Sequence, residues 1–296
     1  MSFGSINDCV TLNNGVKMPV LAYGTWQAPS GELTREGVKT ALERGYRSID
    51  TAAAYGNEES VGEGIRLSGV ARGDIFLTTK HWITERGYTK TVAAVEKSLE
   101  LLGTDYIDLY LVHWPCVAVS SPRWAEINAS TWRGFERMLA DGKLRAIGVS
   151  NFLPEQITEL EKTASVMPAV DQIEFHPGYH QPELVKWCKQ RGIAVEAWSA
   201  LGSGAVLGDP VVGAVAEKHG VTPAQVCLRF AVQYGVCPIT KSVHADRISS
   251  NADIYGFMLD ESDMLALATL YPLGYSGYHP AQAPADTLFG GNYDTD

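Results

Sequence analysis

Short apolar runs, most of them closed by a polar residue, alternate with longer amphipathic stretches along most of this chain. The runs Val20–Tyr23, Ser48–Thr51, Ile75–Lys80, Ile107–His113, Ala146–Ser150, Ala169–Glu174, Ala194–Ser199 and Pro238–Lys241 read as eight strands, being short and apolar between longer amphipathic segments. Between them Thr34–Arg44, Glu58–Leu67, Thr89–Leu102, Thr131–Ala140, Pro154–Thr163, Pro182–Gln190 and Pro223–Tyr234 carry helical spacing. Leu153-Pro154, Gln181-Pro182 and Thr222-Pro223 each place proline at a first helical position, where no amide hydrogen is needed. Strand–helix alternation favours parallel βα units, and eight of them predict an α/β fold, a closed (β/α)8 TIM barrel forming a single domain over residues 1–296. Residues 9–18 read as a hairpin turning at Asn14-Gly15, a pair that readily takes positive φ, placed to close the barrel's bottom. Val117–Asn128 reads as a loop, and residues 271–296 as an irregular tail with Tyr275 and Tyr278 able to fold over a pocket.

Composition narrows the classes of partner. The chain has 296 residues, 45% hydrophobic and 20% charged, enough to bury a large core. Its net charge of -10 argues against a nucleic-acid or anionic-membrane surface, so an anionic ligand needs a local basic pocket. Cys9, Cys116, Cys188, Cys227 and Cys237 are odd in number and form no CxxC, which indicates reduced packing residues rather than disulfides or a thiolate zinc site. The first residues lack a basic segment followed by an apolar core, and no stretch has the length of a membrane span. The expectation is a cytoplasmic monomer. Asn128-Ala129-Ser130 is then a chance sequon.

The chemistry gathers at the strand ends. Asp50, Lys80, His113, Ser150-Asn151, Gln172, Trp198 and Lys241-Ser242 follow one another there, and Tyr55 lies just beyond Asp50. Each alone is ordinary hydrogen-bonded structure, but together they describe a ligand site at the C-terminal rim of a barrel. A Tyr beside a Lys, an Asp and a His can supply a proton donor of lowered pKa, which carbonyl reduction requires.

These residues sit in blocks that resemble the aldo-keto reductases. Gly45-Tyr46-Arg47-Ser48-Ile49-Asp50-Thr51-Ala52, followed by Tyr55, Glu58 and Val61-Gly62, is similar to that family's first signature. His113-Trp114-Pro115, Gly148-Val149-Ser150-Asn151-Phe152, Gln172-Ile173-Glu174-Phe175-His176-Pro177 and Ile239-Thr240-Lys241-Ser242 with Arg247 and Asn251 are similar to later blocks. The resemblance implies NADPH-dependent reduction of small aldehydes and ketones, with NADPH preferred over NADH and no metal. It implies that Tyr55 is the acid, Lys80 held by Asp50 its activator, and His113 the group that orients the carbonyl.

For the cofactor, the resemblance implies Ser150, Asn151 and Gln172 at the nicotinamide amide and Trp198, where many members have Tyr, against its ring. It places Lys241, Ser242 and Arg247 at the adenosine 2′-phosphate and Asn251 at the adenine, with Gly24, Thr25, Ser199, Leu201 and Val243 also in contact. Thr240 stands where Pro is usual and Ser250 where an acidic residue often sits. Trp26, Trp82, Trp114 and His113 are the expected substrate walls, suited to uncharged or mildly polar carbonyls, with a diketo-sugar acid or keto ester admitted by analogy.

Gly202–Gly208 lacks the spacing of a phosphate-cradling loop and reads as a flexible segment, either a plain surface loop or, as the resemblance implies, one that folds across the pyrophosphate. His176 and His180 are separated by Pro177-Gly178, which forbids a helical zinc pair. Two rival readings are a Schiff-base enzyme using Lys80 and an NADPH-binding sensor or regulatory subunit with little turnover.

Overall fold

A computed structural model describes residues 3–281. Its centre is a closed barrel of eight parallel strands: β3 (Ala22–Gly24), β4 (Ser48–Asp50), β5 (Phe76–His81), β6 (Ile107–Val112), β7 (Leu144–Ser150), β8 (Val170–Glu174), β9 (Ala194–Trp198) and β10 (Cys237–Thr240), with β10 returning to pair with β3. The fold expected from the sequence is the one observed. Ahead of it, β1 (Cys9–Thr11) and β2 (Lys17–Pro19) form an antiparallel hairpin. Leu12 and Met18 of the hairpin pack against Phe76, Leu109, Val170 and Cys237, so the lower barrel is apolar and plugged.

The surrounding layer comprises α1 (Glu32–Glu43), α2 (Glu58–Ser68), α3 (Tyr88–Leu102), α4 (Trp124–Ala140), α5 (Pro154–Glu161), α6 (Pro182–Gln190), α7 (Pro210–His219), α8 (Pro223–Tyr234), α9 (Ala245–Ala252) and α10 (Glu261–Ala268). Their apolar faces meet the outward-facing strand residues, as Val38, Val61, Val95, Phe135, Ile157, Val185 and Leu228 do in one continuous core. Strand pleating sends alternate residues inward and outward. Val170, Gln172 and Glu174 therefore share one face of β8, and Ala194, Glu196 and Trp198 share one face of β9.

Most expected boundaries shift by no more than two residues, and two segments change in kind. The segment read as the loop Val117–Asn128 is helical from Trp124, because Asn128 turns inward to join Cys116: the Cys116 amide donates to Asn128 Oδ1 at 2.8 Å and Asn128 Nδ2 donates to the Cys116 carbonyl at 3.0 Å. Gly202–Gly208 is coiled into a 3-10 segment with Ser203 and Gly204 at positive φ. The tail is irregular from Tyr271 to Ala281, as expected; residues 282–296 of that expected tail lie outside the described residues. Among the described residues no helix is long and apolar enough to cross a membrane.

Candidate active site

Above the apolar plug, the inward face turns polar. Asp50 ends β4, Lys80 lies near the end of β5, and Tyr55 closes the 3-10 turn Ala53–Tyr55 that follows β4. Lys80 is fully buried, and its ammonium has three hydrogens to place. One goes to Asp50 Oδ1 at 2.6 Å and one to the Thr51 carbonyl at 2.8 Å, and the charge stands 5.2 Å from the centre of the Tyr55 ring. These two short bonds to buried partners hold the ammonium in place.

Electrostatics follow from that arrangement. Burial pulls the Lys80 pKa down, but the charge of Asp50 and its neighbour Tyr55 outweigh it, and the net direction is upward. Tyr55 responds to two opposed influences: burial pushes its pKa up, and Lys80 draws it down. The net direction is upward, which corrects the expectation of a lowered value. Desolvating the phenolate costs more than one nearby ammonium returns, so Tyr55 is protonated at rest. Burial, then the charge of Lys80, hold His113 well below the usual histidine pKa, leaving a neutral imidazole. Its ring stands edge-on to Tyr55, centroids 5.7 Å apart, and to Trp82 at 5.1 Å.

The opposite side of the rim is knitted by amides. Ser150 Oγ donates to the Gln172 carbonyl at 2.7 Å. Asn151, held at φ 62, donates to the His113 carbonyl at 3.0 Å and accepts from Trp198 Nε1 at 2.8 Å. The Trp198 indole, half-buried, is thereby pinned by its edge with its plane fixed. Gln172 Nε2 donates to Asp50 Oδ2 at 2.9 Å and to Glu196 Oε2 at 3.1 Å. All four expected residues meet here.

Other expected positions divide by exposure. Gly24 and Thr25 are buried: a Cβ at Gly24 would meet Ile239 at 2.7 Å, and Thr25 Oγ1 donates to the Asp50 carbonyl at 3.2 Å, so both form the floor under Asp50. Trp114 is buried against Ile83 with Trp82 packed on them, whereas Trp26 is 46% exposed. Ser199, at φ 54, takes the Ser203 amide on its hydroxyl, and Leu201 is half-buried at the start of the 3-10 segment. After β10, Ser242 is buried and its hydroxyl accepts from the His244 amide at 3.0 Å, and Val243 is half-buried. Asn251 donates to Thr240 Oγ1 at 2.7 Å, which gives the hydroxyl at that departure from the family pattern a partner. Lys241 and Arg247 are exposed and enter no ion pair among the described residues.

Sequence reasoning missed Glu196 and the tail's anchor. Alternation along Ala194–Trp198 puts Glu196 on the face of Trp198, a signal present in the sequence. Ser276 donates through its amide and hydroxyl to the buried Glu174 carboxylate at 2.9 and 2.7 Å, and Tyr275 stacks on Tyr179 with centroids 4.5 Å apart. Tyr278 reaches the cleft lined by Asn151 and Trp198, so the tail does fold over the rim.

The arrangement can bind a polar planar group beside Trp198 and protonate an oxygen placed between Tyr55 and His113. Comparison with known proteins bears on the family. The family model described as Aldo/keto reductase family matches residues 20–272. A glyoxal reductase from Bacillus subtilis is 49% identical over 88% of this chain and 91% of its own. A 9,11-endoperoxide prostaglandin H2 reductase from Trypanosoma cruzi is 46% identical over 87% of this chain and 89% of its own. Among solved structures, an aldo/keto reductase from Brucella melitensis has a TM-score of 0.82 at 44% identity, covering 88% of this chain and 98% of that one. A Bombyx mori aldo-keto reductase in complex with NADP has a TM-score of 0.81 at 37% identity, covering 88% and 92%.

Proposed function

This chain belongs to the aldo/keto reductase family, and from that premise we propose that it reduces small aldehydes and ketones to alcohols with NADPH, Tyr55 delivering the proton. The observation that carries the reading is the buried Lys80 ammonium, held by Asp50 and Thr51 beside Tyr55. When bound, the nicotinamide cofactor supplies the hydride. Tyr55 then gives its proton to the oxygen, and the ammonium beside it stabilises the phenolate left behind. His113, kept neutral, offers an N–H to the same oxygen as negative charge develops there.

The residues present suit the cofactor. Gln172 spends both amide hydrogens on carboxylates, which leaves its carbonyl oxygen to accept from a carboxamide. Trp198, braced by Asn151, offers a flat face for a ring. Lys241 and Arg247, cations without an acidic partner in an acidic chain, suit a phosphate, with Ser242 and Asn251 beside them. Trp26 and Trp82 would wall the substrate, favouring uncharged carbonyls such as glyoxal or aromatic aldehydes.

The test is loss of NADPH absorbance with glyoxal, aromatic aldehydes, sugar aldehydes and α-keto esters, with NADH in parallel. Turnover that prefers NADPH supports the reading. No turnover, with NADPH still quenching Trp fluorescence, would replace it with a binding role.

A further inference from the structure

Glu196 is a carboxylate where the barrel's packing has no use for one. It lies inside the barrel on β9, 1% exposed, beside Gln172 of β8 and Cys237 of β10 in the strand register. Lower in the same interior the space is filled by Leu109, Leu111 and Val170, and an apolar side chain would avoid the cost of burying a charge. Glu196 instead reaches Gln172, whose amide also holds Asp50, which holds Lys80, which stands beside Tyr55. The links from Glu196 to Lys80 are direct hydrogen bonds between side chains, and Lys80 acts on Tyr55 through its charge.

We propose that Glu196 is a positioning residue for the reaction, the far end of the chain Glu196–Gln172–Asp50–Lys80–Tyr55, and that its charge sets how readily Tyr55 releases its proton. The inference rests on the reductase reading for its effect on turnover, but the coupling itself is independent of it. The argument is one of charge balance. Two carboxylates, Asp50 and Glu196, share one ammonium, Lys80, in a buried site where screening is weak. Cys237, the remaining titratable neighbour, is neutral, because burial and then Glu196 push its thiol far up.

An ionised Glu196 is therefore a surplus negative charge, and it disfavours the phenolate that forms when Tyr55 donates. A protonated Glu196 removes that opposition while its carbonyl oxygen still accepts from Gln172. Burial and then Asp50 push the Glu196 pKa up to about 7, against the pull of Gln172 and Lys80. The surplus charge thus appears as pH rises through neutrality.

The deciding experiment compares the wild type with Glu196→Gln, which keeps the acceptor and removes the charge, and Glu196→Asp, which keeps the charge. Tyr55 ionisation is read from the tyrosinate ultraviolet difference spectrum, assigned by its loss in Tyr55→Phe. Glu196→Gln should move that midpoint down by on the order of one pH unit, tenfold in acidity. Glu196→Asp should leave it near the wild-type position. In parallel, wild-type kcat for reduction should fall several-fold across neutrality, and Glu196→Gln should be flat there. An unmoved tyrosinate midpoint in Glu196→Gln overturns the proposal, even if the variant is slower or less stable. A moved midpoint in a protein that turns over no carbonyl upholds the coupling and overturns the reductase reading instead.

Discussion

At the scale of single residues, burial decides more than partnership does. Tyr55 illustrates it: proximity to Lys80 alone suggests a strongly acidic phenol, yet desolvation reverses the net direction. The proposed acid is therefore loaded at rest. Replacing it with phenylalanine keeps the ring and removes the proton. Tyr55→Phe should reduce kcat by roughly 10²- to 10⁴-fold while NADPH quenching of Trp fluorescence is unchanged. Substantial residual turnover would remove Tyr55 from the mechanism. Asp171 is the same physics without function. It is fully buried on the outward face of β8, its Oδ1 accepts from the Phe152 amide at 3.4 Å, and Oδ2 has no partner. Burial raises its pKa well above the usual carboxylate value. The folded state therefore binds a proton that the unfolded state releases, so its stability contribution is full below the ordinary carboxyl pKa and is lost as pH rises through the folded value. Asp171→Asn cannot ionise. The wild-type urea midpoint should fall relative to that of Asp171→Asn as pH rises above about 4; parallel curves would show that the carboxyl is not protonated in the fold.

At the scale of elements, the strands and their order were legible because each carries an apolar run with a polar terminus. Helices with a marked start, such as α6 and α8 with proline at the first position, were legible to the residue. Helix α4 was not, since its first turns gain their burial from Asn128 and Cys116, a contact formed only across the folded chain. Helix α7 is Val-, Gly- and Ala-rich with little contrast between faces, although Asp209-Pro210 marks its start and the Asp209 carboxylate accepts from the Val211 amide. Asp50, Lys80 and His113 were legible because they lie at or beside strand ends, and Tyr55 because it follows Asp50 closely; these four make up the tetrad. Glu196, in mid-strand, was concealed by the usual presumption that strand interiors are structural. Close packing between helices leaves another trace in sequence, a glycine where propensity favours alanine. At Gly62 in α2, an added Cβ would stand 2.3 Å from the Leu102 carbonyl at the end of α3. Alanine gains about 1 kcal/mol in helix propensity there, but the contact is with backbone, which must shift. Gly62→Ala should lose roughly 1–3 kcal/mol, read as a lower urea midpoint at constant m-value. A midpoint equal to or above the wild type would mean that α2 and α3 separate at little cost.

At the scale of the whole molecule, the net charge opposes the proposed cofactor. A net charge of -10 repels a polyanion at long range. The site must therefore draw NADPH in by short-range contacts, and Lys241 at the end of β10 and Arg247 in α9, two cations that enter no ion pair among the described residues, would supply them. Both are exposed, so neither is held for packing. A charge-assisted hydrogen bond contributes about 1.5–3 kcal/mol, or roughly ten- to a hundredfold in affinity. NADPH and NADH differ only in the phosphate these residues would meet, which separates their contribution from every other contact in the site. Converting both Lys241 and Arg247 to alanine should weaken NADPH binding by at least tenfold and leave NADH binding nearly unchanged, measured by quenching of Trp fluorescence. Added salt should weaken wild-type NADPH binding more than NADH binding, because exposed charges are screened within about 10 Å at 0.1 M. Equal loss for both cofactors would show that the pair shapes the loop after β10 rather than gripping a phosphate. That outcome would leave the tetrad's chemistry intact and make cofactor choice a property of some other part of the rim.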